Sequence, residues 1–304
     1  MKKEQTAYLI SIAAGLFMAI LGFTFSYISN SQSIYLDGMF SLINMAMATI
    51  TLILSKKVIS YKSEKFQFGI SQAEPILNVI KALLFFSIMM FSLFMAINAL
   101  LDGGREMKFD SGIIYALIAT VGCLFAAFLI SIVEKYNNSP LLAVEKKGWL
   151  IDGVLSGAVL IVFGIGYLIR NTEFSIYSSY IDPIMIIILI VLVLPIPLKI
   201  FNENFFDLLF SAPPKEIISI IEGHINSELK SAKMKDYYFR MAKIGRFYSI
   251  HISILQLNSK SLTSKELDNL RSNLNTVINK DLPNSILTIE TTVDESIFRQ
   301  INEQ

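Results

Sequence analysis

The chain has 304 residues, 53% of them hydrophobic, and a mean hydropathy of +0.55, too apolar for an ordinary soluble domain. A formal net charge of +1 leaves no basic stripe to follow phosphates, which argues against nucleic acid as a partner. The one cysteine, Cys123, excludes a disulfide framework and a cysteine-based metal cluster. A bilayer core takes a helix of about 20 apolar residues. Stretches of that kind occur at 7–28, 34–54, 76–101, 112–133, 149–169 and 181–201, predicting six transmembrane helices. The first follows Met1-Lys2-Lys3, like a signal peptide, but its apolar run is longer than an h-region and further spans follow. It is therefore read as a span. The N-terminus and the second and fourth connections carry Lys2, Lys3, Lys56, Lys57, Lys62, Lys65, Lys135, Lys146 and Lys147. The opposite connections carry only Arg105, Lys108 and Arg170, so the positive-inside rule puts both termini in the cytoplasm.

Two spans carry the same phrase. The second reads Asp37-Gly38-Met39-Phe40-Ser41 and the fifth Asp152-Gly153-Val154-Leu155-Ser156. A charged side chain at mid-bilayer costs several kcal/mol, so such residues face the bundle interior and mark ion paths. The blander reading is a helix cap or a hydrogen bond to a neighbouring helix. On the second span Ser33, Asp37, Ser41 and Asn44 follow in steps of four, four and three and share one helix face. Carboxylate, hydroxyl and amide oxygens, without imidazole or thiolate, suit hard divalent cations. Desolvation also favours the protonated carboxyl, so a site of this kind can exchange a metal ion for protons.

The remaining polar groups of the spans admit structural roles. Lys81 shares a face with Glu74 and Asn78, and is expected either to pair with Glu74 or to snorkel to the surface. Asp182 opens the sixth span, where a carboxylate favours the helix N-terminus. Ser11, Gly15, Gly22 and Ser26 form a small-residue face suited to a close helix contact.

After the spans the sequence reads as soluble. Pro213 and Pro214 open a helix with Ile217, Ile218, Ile221 and Ile225 at helical spacing. A strand follows at about 237–243, a turn at Gly245, and a second strand in which Ile250, Ile252 and Ile254 alternate with Ser249, His251 and Ser253. Thr263 and Glu266 predict a capping box ahead of Leu267, Leu270, Leu274 and Val277, and a last strand runs near 286–293. The fold class expected is an α-helical membrane protein: a six-span domain, 1–210, followed by a cytoplasmic α-β-β-α-β domain, 211–304, with two helices on one face of a three-stranded sheet.

These features together resemble the cation diffusion facilitators, over nearly the whole chain. Phe68-Gly69-Ile70-Ser71-Gln72-Ala73-Glu74-Pro75 resembles the family phrase entering span three, and Asn138-Ser139-Pro140 the element before span five. Asp182-Pro183, and the junction from Asp207-Leu208-Leu209 to Pro213-Pro214, fit as well. The resemblance implies a homodimeric exporter of divalent metal ions at the plasma membrane, with protons as counter-ion, no resident cofactor, and a ferredoxin-like, metallochaperone-like tail used for dimerisation. It implies four intramembrane ligands, of which Asp37 and Asp152 are present, while Ser33 and Gly148 stand in the other two places. The reduced site is expected to use Asp37 and Asp152 with water, backbone carbonyls, Ser33 or Asn44. By the same resemblance His251 falls at a tail metal-ligand position of some members, which would hold a regulatory metal, with Glu290 near another. Gln72 replaces a basic residue that in some members pairs across the dimer with the carboxylate matching Asp207. Zinc, manganese, iron(II) and magnesium stay open as substrates, the loss of histidine weighing against strict zinc selectivity. Two other readings compete: a non-transporting or regulatory relative partnering a full-site member, and a membrane-anchored metal sensor.

Overall fold

The computed structural model describes residues 2–58, 72–135, 140–173, 175–231, 236–245, 247–256, 263–283 and 285–303. Residues 68–71 and 138–139, part of the family-like phrases, lie outside these, as do Lys62 and Lys65. The chain forms two compact units, one of Met1–Lys62 with Leu77–Phe201, the other of Ser63–Ile76 with Asn202–Gln304.

The apolar stretches are helices α1 (Lys2–Ser29), α2 (Gln32–Val58), α3 (Ala73–Leu101), α4 (Phe109–Lys135) and α5 (Pro140–Ile169). After a single turn, α6 (Ser175–Ser178), the sixth span is made of α7 (Ile181–Val193) and α8 (Pro195–Leu208). Six helical segments are thus long and apolar enough to cross a membrane. The break in the last of them lies at Leu194. Its cause is local: Pro195 and Pro197 have no N–H to give to the carbonyls of Val191 and Val193.

In the membrane unit α1 packs on α2 and α4, and α4 on α5. Leu36 of α2, Met89 and Ala96 of α3, and Ile186 and Ile190 of α7 form one buried cluster. The expected small-residue face of α1 is a contact surface. A Cβ on Gly22 would stand 2.6 Å from the Cα of Gly38, so the backbones of α1 and α2 touch there. Further along α1, Gly15 faces Met45 and Ser11 accepts a hydrogen bond from Trp149 Nε1 at 3.0 Å. The α1–α2 turn passes through Asn30 at φ 56°, a conformation asparagine tolerates.

The second unit contains α9 (Lys215–Ser231), β1 (Tyr237–Ile244), β2 (Phe247–Leu255), α10 (Ser264–Asp281), β3 (Ser285–Thr292) and α11 (Glu295–Glu303). β1 and β2 are antiparallel, with Met241 opposite Ile250, and β2 and β3 parallel, with Ile250 opposite Leu287. The crossover between the parallel strands is α10, which begins at the expected capping box: Thr263 Oγ1 accepts from Glu266 N at 3.3 Å, and Thr263 N donates to Glu266 Oε2 at 2.9 Å. Ile221, Ile225 and Leu229 of α9, Leu270, Leu274 and Ile278 of α10, and Ile250, Ile252 and Ile254 of β2 share one core. The order matches the expected α-β-β-α-β, with α11 added after it. That helix is capped by Asp294 Oδ1, which accepts from Ser296 Oγ at 2.6 Å and Ser296 N at 2.8 Å, and it lies against β2 and β3.

Candidate metal cation site

Each Asp-Gly-x-x-Ser phrase places its glycine where another helix comes close. Gly38 meets Gly22 of α1, and a Cβ on Gly153 would stand 3.0 Å from Leu124 of α4. The aspartate one residue earlier is turned by about 100° around the helix. Both aspartates line one cavity of about 340 Å³ in the membrane unit, with Ser41, Asn44 and Ser156. The thiol of Cys123, on α4, lies within electrostatic reach of both carboxylates. Asp37 is half-buried and Asp152 exposed.

Asp37 has a partner the sequence did not point to. Tyr115 of α4 is buried among Met18, Phe163 and Cys123, and its hydroxyl donates to Asp37 Oδ2 at 2.5 Å. A tyrosine inside an apolar span carries no spacing signal toward an aspartate 78 positions earlier. Lys81 also lines the cavity, with Nζ 5.5 Å from the Phe85 ring centroid.

Ser33 lines the cavity as well, but its hydroxyl is committed elsewhere: it donates to Asp182 Oδ1 at 2.6 Å. Asp182 is fully buried and also accepts from Ser31 Oγ at 2.6 Å, Gln32 N at 2.8 Å and Ser33 N at 3.2 Å. The two backbone N–H groups are orphan donors of the α2 N-terminus. Asp182 stands in the first turn of α7, as expected, but the expectation that it caps that helix is corrected: its carboxylate makes its hydrogen bonds to the start of α2. Gly148 lines the cavity with open space where a side chain would be.

In the second unit His251 Nε2 lies 3.1 Å from Ser249 Oγ. The register sets His251 against Thr288 and Glu290 against Ser253, so the two share a face one diagonal step apart. Among the described residues no group of three or more His, Cys, Asp or Glu side chains is placed to hold a metal ion, in either unit. Asp207, nearly buried, accepts from Lys243 Nζ of the same chain at 2.7 Å, so this carboxylate has a basic partner although Gln72 is not one.

Six helices long and apolar enough to cross a membrane, with two aspartates lining a cavity among them, describe an integral membrane protein. The chain belongs to the cation efflux family, the cation diffusion facilitators: the family model of the cation efflux transmembrane domain matches residues 8–209. A search of curated proteins finds no match. Members of this family are transporters of metal cations rather than enzymes.

Proposed function

We propose that this chain exports divalent metal cations across the plasma membrane in exchange for protons, as a homodimer with both termini in the cytoplasm. The observation that supports the reading is that Asp37 and Asp152 both line one cavity. Two carboxylates neutralise a divalent charge, and Ser41, Asn44, Ser156 and retained water supply neutral oxygens around it. An oxygen-only donor set favours manganese, magnesium or iron(II) over zinc. Protons compete for the same carboxylates, so metal bound on one side is released against protons on the other. The test is metal uptake into inverted vesicles driven by a pH gradient. Asp37→Ala and Asp152→Ala should each abolish uptake while the protein still inserts. Uptake at the parent rate in both variants refutes the assignment.

A second reading has its own observation. Ser33 supplies only a neutral hydroxyl whose proton already goes to Asp182, and Gly148 has no side chain, so neither of these two family ligand positions supplies a carboxylate or an imidazole. A non-transporting partner of a full-site member fits that loss. Absence of uptake by the parent, together with uptake after Gly148→His, favours this reading.

A further inference from the structure

Among the described residues that line the cavity, Lys81 is the one basic side chain. Phe85 of α3 and Phe40 of α2 meet edge to face, with ring centroids 5.0 Å apart, and this contact fixes the level of α3 against α2. Successive spans run in opposite directions. Lys81, one turn before Phe85, is therefore level with α2 about one turn beyond Phe40, near Asn44. That is about 10 Å along the helix from Asp37, by the rise of seven residues. The ammonium rests over the Phe85 ring, a cation–π contact that holds the charge at the cavity wall.

The α2 residues along the cavity run from Ser33 to Ala48, about 22 Å of helix. Asp37 lies toward the α1–α2 turn, and Lys81 lies on the side of Asp37 toward the other end of α2. A cation that reaches Asp37 from that end passes the ammonium. Among the described residues that line the cavity, the carboxylates are those of Asp37 and Asp152 and the one ammonium is that of Lys81.

We propose that Lys81 is a built-in counter-cation of the carboxylate pair that sets the affinity of the site for divalent cations. With the site empty, it offsets part of the negative charge of the aspartates. With a divalent ion bound, it repels the ion, weakens binding and speeds release. The substrate class this favours is an abundant, strongly hydrated divalent ion such as magnesium or manganese, for which a weak site is sufficient. The inference rests on the carboxylate site proposed above.

The test is Mn²⁺ binding to the purified full chain in detergent by isothermal titration calorimetry, with release timed by stopped-flow chelation. Lys81→Met should bind Mn²⁺ at least tenfold more tightly than the parent and release it correspondingly more slowly. Lys81→Gln gives the same result if it is charge that matters, and Lys81→Arg retains the weak binding of the parent. Asp37→Ala should lose binding, and the Lys81→Met gain should vanish in the Asp37→Ala background. If Met and Gln variants bind like the parent or more weakly while Asp37→Ala abolishes binding, the counter-cation role is overturned and the carboxylate site stands. If Asp37→Ala binds like the parent, the carboxylate site itself fails and this inference with it.

Discussion

The missing family ligands invite repair by Ser33→Asp, and the structure predicts that this repair fails. In the parent the Ser33 hydroxyl donates to the fully buried Asp182 at 2.6 Å. A hydrogen bond to a charged group contributes about 1.5–3 kcal/mol. An aspartate at this position removes the donor and sets a second carboxylate about 4 Å from the first, a repulsion of about 4 kcal/mol at an effective dielectric of 20. The sum, about 6 kcal/mol, rivals the whole net stability of a typical domain. Ser33→Ala loses only the hydrogen bond, so it should cost about 1.5–3 kcal/mol. Gly148→His should cost little, since nothing stands within 4 Å of the position its Cβ would take. The assay is unfolding of the purified protein by SDS in mixed micelles, followed by the fluorescence of Trp149, the single tryptophan, which is tied to Ser11 in the membrane unit. The expected order of stability is parent, Gly148→His, Ser33→Ala, Ser33→Asp. A Ser33→Asp protein as stable as Ser33→Ala, or one that binds zinc more tightly than Gly148→His, refutes the argument.

Tyr115→Phe removes the 2.5 Å hydrogen bond that orients Asp37 and leaves the fold intact. Mn²⁺ binding should weaken by about tenfold, the lower end of what a hydrogen bond to a charged group contributes; a dissociation constant within twofold of the parent counts against this orienting role. In the second unit, the Ser296 side chain and the backbone N–H groups of Ser296 and Ile297 hold the Asp294 carboxyl below the usual carboxylate range. Its cap therefore supports α11 at pH values above the unfolded aspartate range and is lost as pH falls through the lowered folded value. Nuclear magnetic resonance shifts of residues 297–303 should move toward coil values on acidification in the parent, and should already lie closer to them at neutral pH in Asp294→Ala. Identical helical shifts in both proteins would show that the cap contributes nothing.

Long-period features were legible in the sequence and pairwise ones were not. Apolar length alone located the six spans, because the bilayer imposes that length. The helices run past those windows, as α2 does to Val58, because a polar residue ends an apolar window without ending a helix. The capping box at Thr263 and Glu266 was readable because its partners are three residues apart. For α11 the signal was present in Asp294 followed by Glu295, an N-cap with an acidic first turn, and the strand reading simply stopped before it. Pro195 and Pro197 likewise carried the signal for the break at Leu194, although the span 181–201 reads as continuous. The shared phrases drew attention to Asp37 and Asp152, and both line the same cavity. What surrounds them was not legible. Tyr115 and Asp182 act on α2 from distant parts of the chain, and their partners are fixed by helix packing that no local spacing records.

The contact of Gly22 with Gly38 restricts how this protein can move. Backbones in direct contact have no side-chain layer to deform, so sliding or parting would open a void that nothing nearby fills. α1 and α2 must then travel as one rigid piece, with Asp37 carried one residue from the weld. Any motion that exposes the site first to one side of the membrane and then to the other has to occur on the opposite flank of α2, where the side chains of α3 and α7 interleave with it. A change at Gly22 as small as a methyl group therefore bears on the mechanics of the carrier, although it touches neither carboxylate.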